Sequence, residues 1–261
     1  MRLARTVRIG MSGAQLDEVH EAVVITGVDT GKPERTISTA TRMGGWGQRI
    51  TGEHWETLEC TVSFAIDVPR RNLALRSQIF DAVRAWALGA EGTYISTNQK
   101  PRKRILVDRV EFPGSGDLFE WTDSYDIVFK AYSVPFWQDS SYTYLTKSTI
   151  TKGSLTLVVP GEVTTIAGVV FKNKSGKTIN NFSAKIGQNT MSFKNLGLPG
   201  NGELAIGHTS AGRVVIRMDG SSVLNKREGA DDFYVEPGAN TVTIDSDRAG
   251  SLEVSTIGRY R

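Results

Sequence analysis

The chain has 261 residues, 39% of them hydrophobic and 23% charged, so it can bury a sizeable core and is long enough for two ordinary domains. Its net charge of +3 is close to neutral and excludes the dense basic field that tight duplex binding requires. The single cysteine, Cys60, excludes an internal disulfide framework, and no apolar run approaches the roughly 18 to 20 residues of a membrane span. The opening MRLARTVRIGMSG is basic but has no apolar core, so the expectation is no secretory signal, no membrane insertion and synthesis in a cytoplasm. Glycine is abundant, at 27 residues against 8 prolines, which predicts many tight turns between short strands.

In chain order, the first informative stretch is TATRMGGWGQRITGEHWETLE (39–59). It alternates, has glycines for bending, and carries Trp46 and Trp55 where an aromatic can anchor an interface. It suits the hairpin arm implied by the resemblance described below; the competing reading is that the two tryptophans complete the local core. Residues 58–66, LECTVSFAI, place Leu58, Cys60, Val62, Phe64 and Ile66 on one face, the period-two pattern of a strand with one buried side. One helix is predicted at about 70–88, where Leu75, Ile79, Val83 and Trp86 form one stripe for packing. Pro69 precedes it, and Gly89 is expected to end it in a left-handed conformation. Residues 125–131 alternate again, through Tyr125, Ile127, Phe129 and Ala131.

The run FKAYSVPFWQDS (129–140) ends this pattern. Pro135 has no N–H for a ladder bond, so it is expected to close the strand. Phe136 and Trp137 are expected to clamp a domain junction, with SYTYLTKST giving modest freedom beyond it. All five tryptophans lie at or before residue 137, and the predicted split is 1–138 and 139–261. The second part shows short β-like runs at 155–159, 168–171, 182–186, 213–218, 240–244 and 251–257. Between them lie KNKSGK, GLPGNG, MDGSS, EPGAN and DSDRAG, a rhythm that favours an antiparallel sandwich.

Sites for chemistry are sparse. His20, His54 and His208 are scattered without metal-ligand spacing, so no zinc, other metal or cofactor is expected. GSG (114–116) and GHTSAG (207–212) do not make a nucleophile elbow, and GGWG (44–47) and GLPGNG lack phosphate-loop spacing. Asp231–Asp232 and Glu53/Glu56/Glu59 are the carboxylates a β-scaffold glycosidase would need, but charged loop tips carry such residues routinely. KPRKR (100–104) reads as a charged turn leading into a strand. No enzymatic activity is expected.

Three segments carry a resemblance: the strand and helix of 56–88, the strand end AYSVPFW, and the closing FYVEPGANTVTIDSDRAGSLEVSTIGRYR with its Pro-Gly-x-Asn turn. In their order and spacing the chain resembles the distal tail proteins of long-tailed (siphovirus-type) bacteriophages over nearly its whole length. The resemblance implies a mainly β protein. Its N-terminal part would be a split β-barrel with one α-helix and a hairpin arm, and its C-terminal part a galectin-like antiparallel β-sandwich. It further implies a homo-hexameric ring in the virion tail tip. Such a ring joins the tail tube protein to the tail-associated hub, contacts tape-measure and receptor-binding proteins in some phages, and leaves a channel for DNA. A sugar-binding role is the alternative: a carbohydrate-binding module recognising a cell-surface glycan. Against it, the second part has no tryptophan, and His208 is followed by TSAGR rather than the galectin His-x-Asn-x-Arg, although Tyr234 and Tyr260 offer rings to stack.

Overall fold

The computed structural model describes residues 9–11, 14–41, 48–100, 102–113, 124–208 and 214–261, without the side chains of 39–41 and 48–53. Among the described residues the chain is mainly β with one α-helix, and it divides into two compact units, Met1–Trp137 with Arg261, and Gln138–Tyr260.

In the first unit, β1 (Ile9–Met11) pairs with β2 (Ala14–Gln15). Next come β3 (Val23–Asp29), β4 (Arg35–Thr41), β5 (Gln48–Trp55) and β6 (Leu58–Ile66). After α1 (Leu73–Leu88) follow β7 (Tyr94–Thr97), β8 (Lys103–Leu106), β9 (Arg109–Glu111) and β10 (Ser124–Ala131). An antiparallel sheet in the order β3-β6-β10-β9 holds the centre. The alternation of β6 explains its register: Leu58, Cys60, Val62, Phe64 and Ile66 are all buried and lie beside Ala131, Phe129, Ile127 and Tyr125 of β10. β7 links β1 to β8 in a second antiparallel arrangement that buries Ile9, Ile95 and Ile105.

The helix starts at Leu73, three residues later than predicted, because Pro69–Asn72 closes a turn and the Asn72 side chain accepts from the Leu75 N–H. Its buried residues are Arg76, Ile79, Phe80, Val83 and Ala87, while Leu75 and Trp86 are half-buried. Arg76 donates from its guanidinium to the Val68 carbonyl (3.0 Å) and the Tyr125 hydroxyl (3.2 Å), which is how a charged residue lies on the inner face. Phe64, Phe80 and Tyr125 form one aromatic cluster with centroids 5.1–6.4 Å apart. Gly89 caps the helix with φ −65°, a right-handed conformation, and the left-handed residue is Gly92 at φ 76°. The expected glycine stop is thus three residues late, because the chain first makes another turn through Ala90 and Glu91.

The end of β10 also departs from expectation. The strand stops at Ala131, before Pro135, because the Asp108 carboxylate accepts the N–H groups of Tyr132 (2.7 Å) and Ser133 (2.8 Å) and its hydroxyl (2.6 Å). A side chain, rather than a missing donor, takes the chain out of the ladder.

After β11 (Trp137–Asp139), the second unit is built on two long strands, β12 (Thr143–Val159) and β21 (Gly238–Thr256), antiparallel along nearly their whole length. Between them come β13 (Thr165–Asn173), β14 (Phe182–Ile186), β15 (Asn189–Phe193) and β16 (Glu203–His208). Then follow β17 (Val214–Met218), β18 (Ser221–Ser222), β19 (Arg227–Gly229) and β20 (Tyr234–Val235), and β22 (Arg259–Tyr260) comes last. β21 pairs with β14 through Val242–Ser246 and with β13 through Gly250–Thr256, so one strand serves two halves. The halves fold over a single core that includes Leu157, Phe171, Phe182, Phe193, Ile206, Ile244 and Val254. Gly250 sits where β21 passes from one half to the other, and a Cβ there would lie 2.3 Å from Phe171 Cζ.

Two expectations fail here. SYTYLTKST is not a flexible connector, since β12 runs from Thr143, and DSDRAG is not a turn, since β21 runs through it. Polar side chains hid both strands. Their order comes from backbone pairing such as Thr143↔Thr256 and Lys152↔Asp245, with irregularity between Lys147 and Lys152. The Pro-Gly-x-Asn turn is present, closed by Asn240 Nδ2 donating to the carbonyls of Glu236 (2.7 Å) and Gly238 (3.1 Å).

Candidate assembly surface

β4 and β5 form a two-stranded ribbon that pairs with no other strand among the described residues. Seven residues of antiparallel strand reach roughly 24 Å. An isolated two-stranded ribbon is marginal in water, and both its outer edges carry unpaired backbone groups that a further strand can use. Trp46, expected on this arm, lies outside the described residues. Trp55, at the end of β5, is half-buried.

The ribbon's base is held from both of its ends. Glu56 N–H donates to the Glu34 carbonyl at 2.8 Å, closing the ladder where β4 begins and β5 ends. Trp55 packs edge-on against Phe136, with centroids 5.1 Å apart. Trp137 Nε1 donates to the carbonyl of Thr30, in the turn between β3 and β4, at 2.9 Å. Two residues adjacent in sequence thus grip the approach to β4 and the exit of β5. Pro135, Phe136 and Trp137 are all buried. Lys100 Nζ lies 5.5 Å from the Trp137 ring centre, and the Arg261 guanidinium lies 5.1 Å from that of Trp55, both cation–π distances. The period of the strands gives no hint that Trp55, Phe136, Trp137 and Thr30 meet; only the clustering of aromatics at the end of β10 marked the place.

Beside this cluster opens a cavity of about 660 Å³, lined by Asp29, Gly31, Lys32, Glu34, His54, Trp55, Glu56, Thr57, Glu59 and Thr61. Its rim is the turn after β3. Gly31 has φ 57°, and a Cβ there would lie 1.9 Å from the Glu59 carbonyl oxygen, so only glycine lets this turn press on β6. Asp29 accepts the Gly31 N–H at 3.0 Å, and Glu56 accepts the Thr36 hydroxyl. Glu59 binds Lys130 at 3.1 Å, and Lys130 also binds Glu111 at 2.8 Å. Hydrogen bonding to Lys130 is the main reason the Glu111 carboxyl titrates below its ordinary range. Behind the cavity wall, burial first and the charge of Asp29 second push the Cys60 thiol up to about 12.

The other candidate residues do not come together. Asp232 pairs with His208, and Asp231 with Arg227. Glu56 and Glu59 line the cavity, and Glu53's side chain is outside the described set. Of KPRKR, Lys100 and Arg102 lie between β7 and β8, Arg102 at φ 62°, and Lys103 and Arg104 begin β8. Tyr260 donates to Asp139 at 3.0 Å, and Tyr234 is exposed. Among the described residues, no group of His, Cys, Asp and Glu could hold a metal ion, and no helix is long and apolar enough to cross a membrane.

No protein-family model matches the chain, and no curated protein is similar to it in sequence. Among solved structures, the Dit protein of phage SPP1, described as a paradigm of the hub adsorption apparatus in phages infecting Gram-positive bacteria, matches 97% of this chain and 98% of its own. The TM-score is 0.65 at 12% identity. The two chains share a fold. Chains of the phage P2 baseplate in its activated conformation, with Ca and with Sr, match at TM-score 0.41 and 10% identity. They cover 97% and 95% of this chain and 98% and 97% of theirs.

Proposed function

We propose that this chain is a distal tail protein of a long-tailed bacteriophage, a structural, non-enzymatic ring subunit of the tail tip. The observation that carries the reading is the fold shared with the SPP1 Dit protein along 97% of the chain. Fold analogy alone leaves function open, so the surface must agree with it. It does: the β4–β5 ribbon offers unpaired backbone edges on a clamped base, which suits a subunit that closes a ring by lending a strand to its neighbour. In this reading six copies encircle a DNA channel, joining the tail tube protein above to the tail-associated hub below. Trp55 and Trp46 anchor the arm, Phe136 and Trp137 hold its base, and receptor-binding proteins dock on the galectin-like second unit. Electron microscopy of the purified chain, alone and with a cognate hub, tests this. Six-fold rings are expected, and particles of one subunit under both conditions would refute the reading.

A further inference from the structure

Arg261, at the base of the arm, is held at both its ends. Its carbonyl accepts from Lys100 Nζ at 2.8 Å, and its guanidinium lies over the Trp55 ring, 5.1 Å from the centre. Lys100 is a fixed anchor: its N–H donates to the Thr97 carbonyl at 3.2 Å, and its carbonyl accepts the Lys103 N–H at 3.1 Å. Lys100 Nζ also lies 5.5 Å from the Trp137 ring centre. The contacts run in a closed circuit, from Arg261 to Trp55, Phe136, Trp137, Lys100 and back to Arg261. All five residues belong to the first unit.

Burial separates the members of this circuit. Phe136 and Trp137 are buried, Trp55 is half-buried, and Arg261 is exposed. A cation over an indole at an exposed site contributes little to the stability of a fold. What it does here is hold a ring in place. Trp55 is the last residue of β5, and the ribbon has no further strand beside it among the described residues, so its direction is decided at its base. Phe136 and Arg261 contact the same indole, which leaves Trp55 less freedom than either neighbour would alone. Because Lys100 fixes the Arg261 backbone, the guanidinium reaches Trp55 from a tethered point.

We propose that Arg261 is a strap that fixes the direction of the β4–β5 arm in the free subunit, so that the arm is already set when a partner strand arrives. A segment ordered before binding loses less freedom on binding, and the strap gives the arm that advantage. Its use in assembly rests on the strand-lending reading above; its effect on the arm of a single subunit does not. A change at Arg261 acts on the opening of the arm's base and leaves the central sheet alone.

The test is amide hydrogen exchange on the full chain, comparing wild type, Arg261→Ala and Arg261→Lys in samples of equal assembly state, with thermal melts to verify folding. The reporters are Trp55 and Glu56, whose N–H donates to the Glu34 carbonyl at the arm's base. Val62 and Ile127 of the central sheet are the controls. In Arg261→Ala the base amides should exchange about fivefold faster, with the controls and the melt unchanged. Arg261→Lys keeps a cation and should recover part of the difference. Base amides that exchange alike in wild type and Arg261→Ala overturn the inference and leave the ring reading standing. Equal acceleration of Val62 and Ile127 also overturns it, because Arg261 would then stabilise the unit as a whole. A wild-type chain that never forms rings, with or without hub, while its base amides still respond to Arg261→Ala, overturns the ring reading and leaves the strap.

Discussion

Trp137→Ala is the most informative single change, because one side chain serves both packing and the arm's approach. Trp137 is fully buried and donates its indole N–H to Thr30 at 2.9 Å. Removing a buried tryptophan costs about 3–5 kcal/mol in transfer and cavity terms, and losing the bond to Thr30 adds about 1 kcal/mol. For a unit of this size each kcal/mol lowers the melting temperature by about 4 °C, so the first unit should melt roughly 16–24 °C lower. Trp137→Phe keeps most of the ring volume and loses the donor, and should cost roughly 4–8 °C by the same scaling. Calorimetry resolves the two units if they melt apart, and near-UV circular dichroism follows the tryptophans of the first unit alone, since all five lie there. A Trp137→Ala variant melting within about 3 °C of wild type would show that the residue does not organise this region, and the argument for a clamped arm would fall with it.

Three further outcomes follow from the geometry. Gly250→Ala would place a methyl group 2.3 Å from fully buried Phe171 and 2.6 Å from the Lys172 carbonyl, and should cost about 1–3 kcal/mol, seen as a lower urea midpoint for the second unit. Cys60 should stay unreactive toward a thiol reagent at pH 8 in the folded chain and react at once in urea; with its folded-state thiol pushed up to about 12, it is neutral and shielded through that range. For Glu111 the folded-state carboxyl titrates below its ordinary range, so its contribution is present above that range and is lost as pH falls through the lowered value; Lys130→Met should move its titration, followed by NMR, back upward.

Much of the first unit was legible because its core strands have one wet face. The alternation in LECTVSFAI gave the limits of β6 and its buried set, since a period of two admits one register against a core. The helix was visible for the same reason, although its stripe was read slightly rotated: Arg76 and Phe80 lie inside, and no periodicity rule would bury an arginine. The long strands of the second unit were not legible. From Thr143 to Thr156, β12 buries few side chains, and what orders it is a ladder to residues about a hundred positions away, which leaves no local trace. The base of the arm was half legible. Aromatic residues at 136–137 drew attention, but their partners, Thr30 in the turn after β3 and Trp55 at the end of β5, are brought together only by the tertiary fold, in which Gly31 presses on β6.

The central claim is that copies of this chain close into a ring. Light scattering coupled to size exclusion, run on the purified chain and on its mixture with a cognate hub, measures that directly. The account predicts a species of six times the 28.5 kDa chain mass in at least one of the two runs. A mass of 28.5 kDa throughout, at every concentration and with hub present, would contradict it.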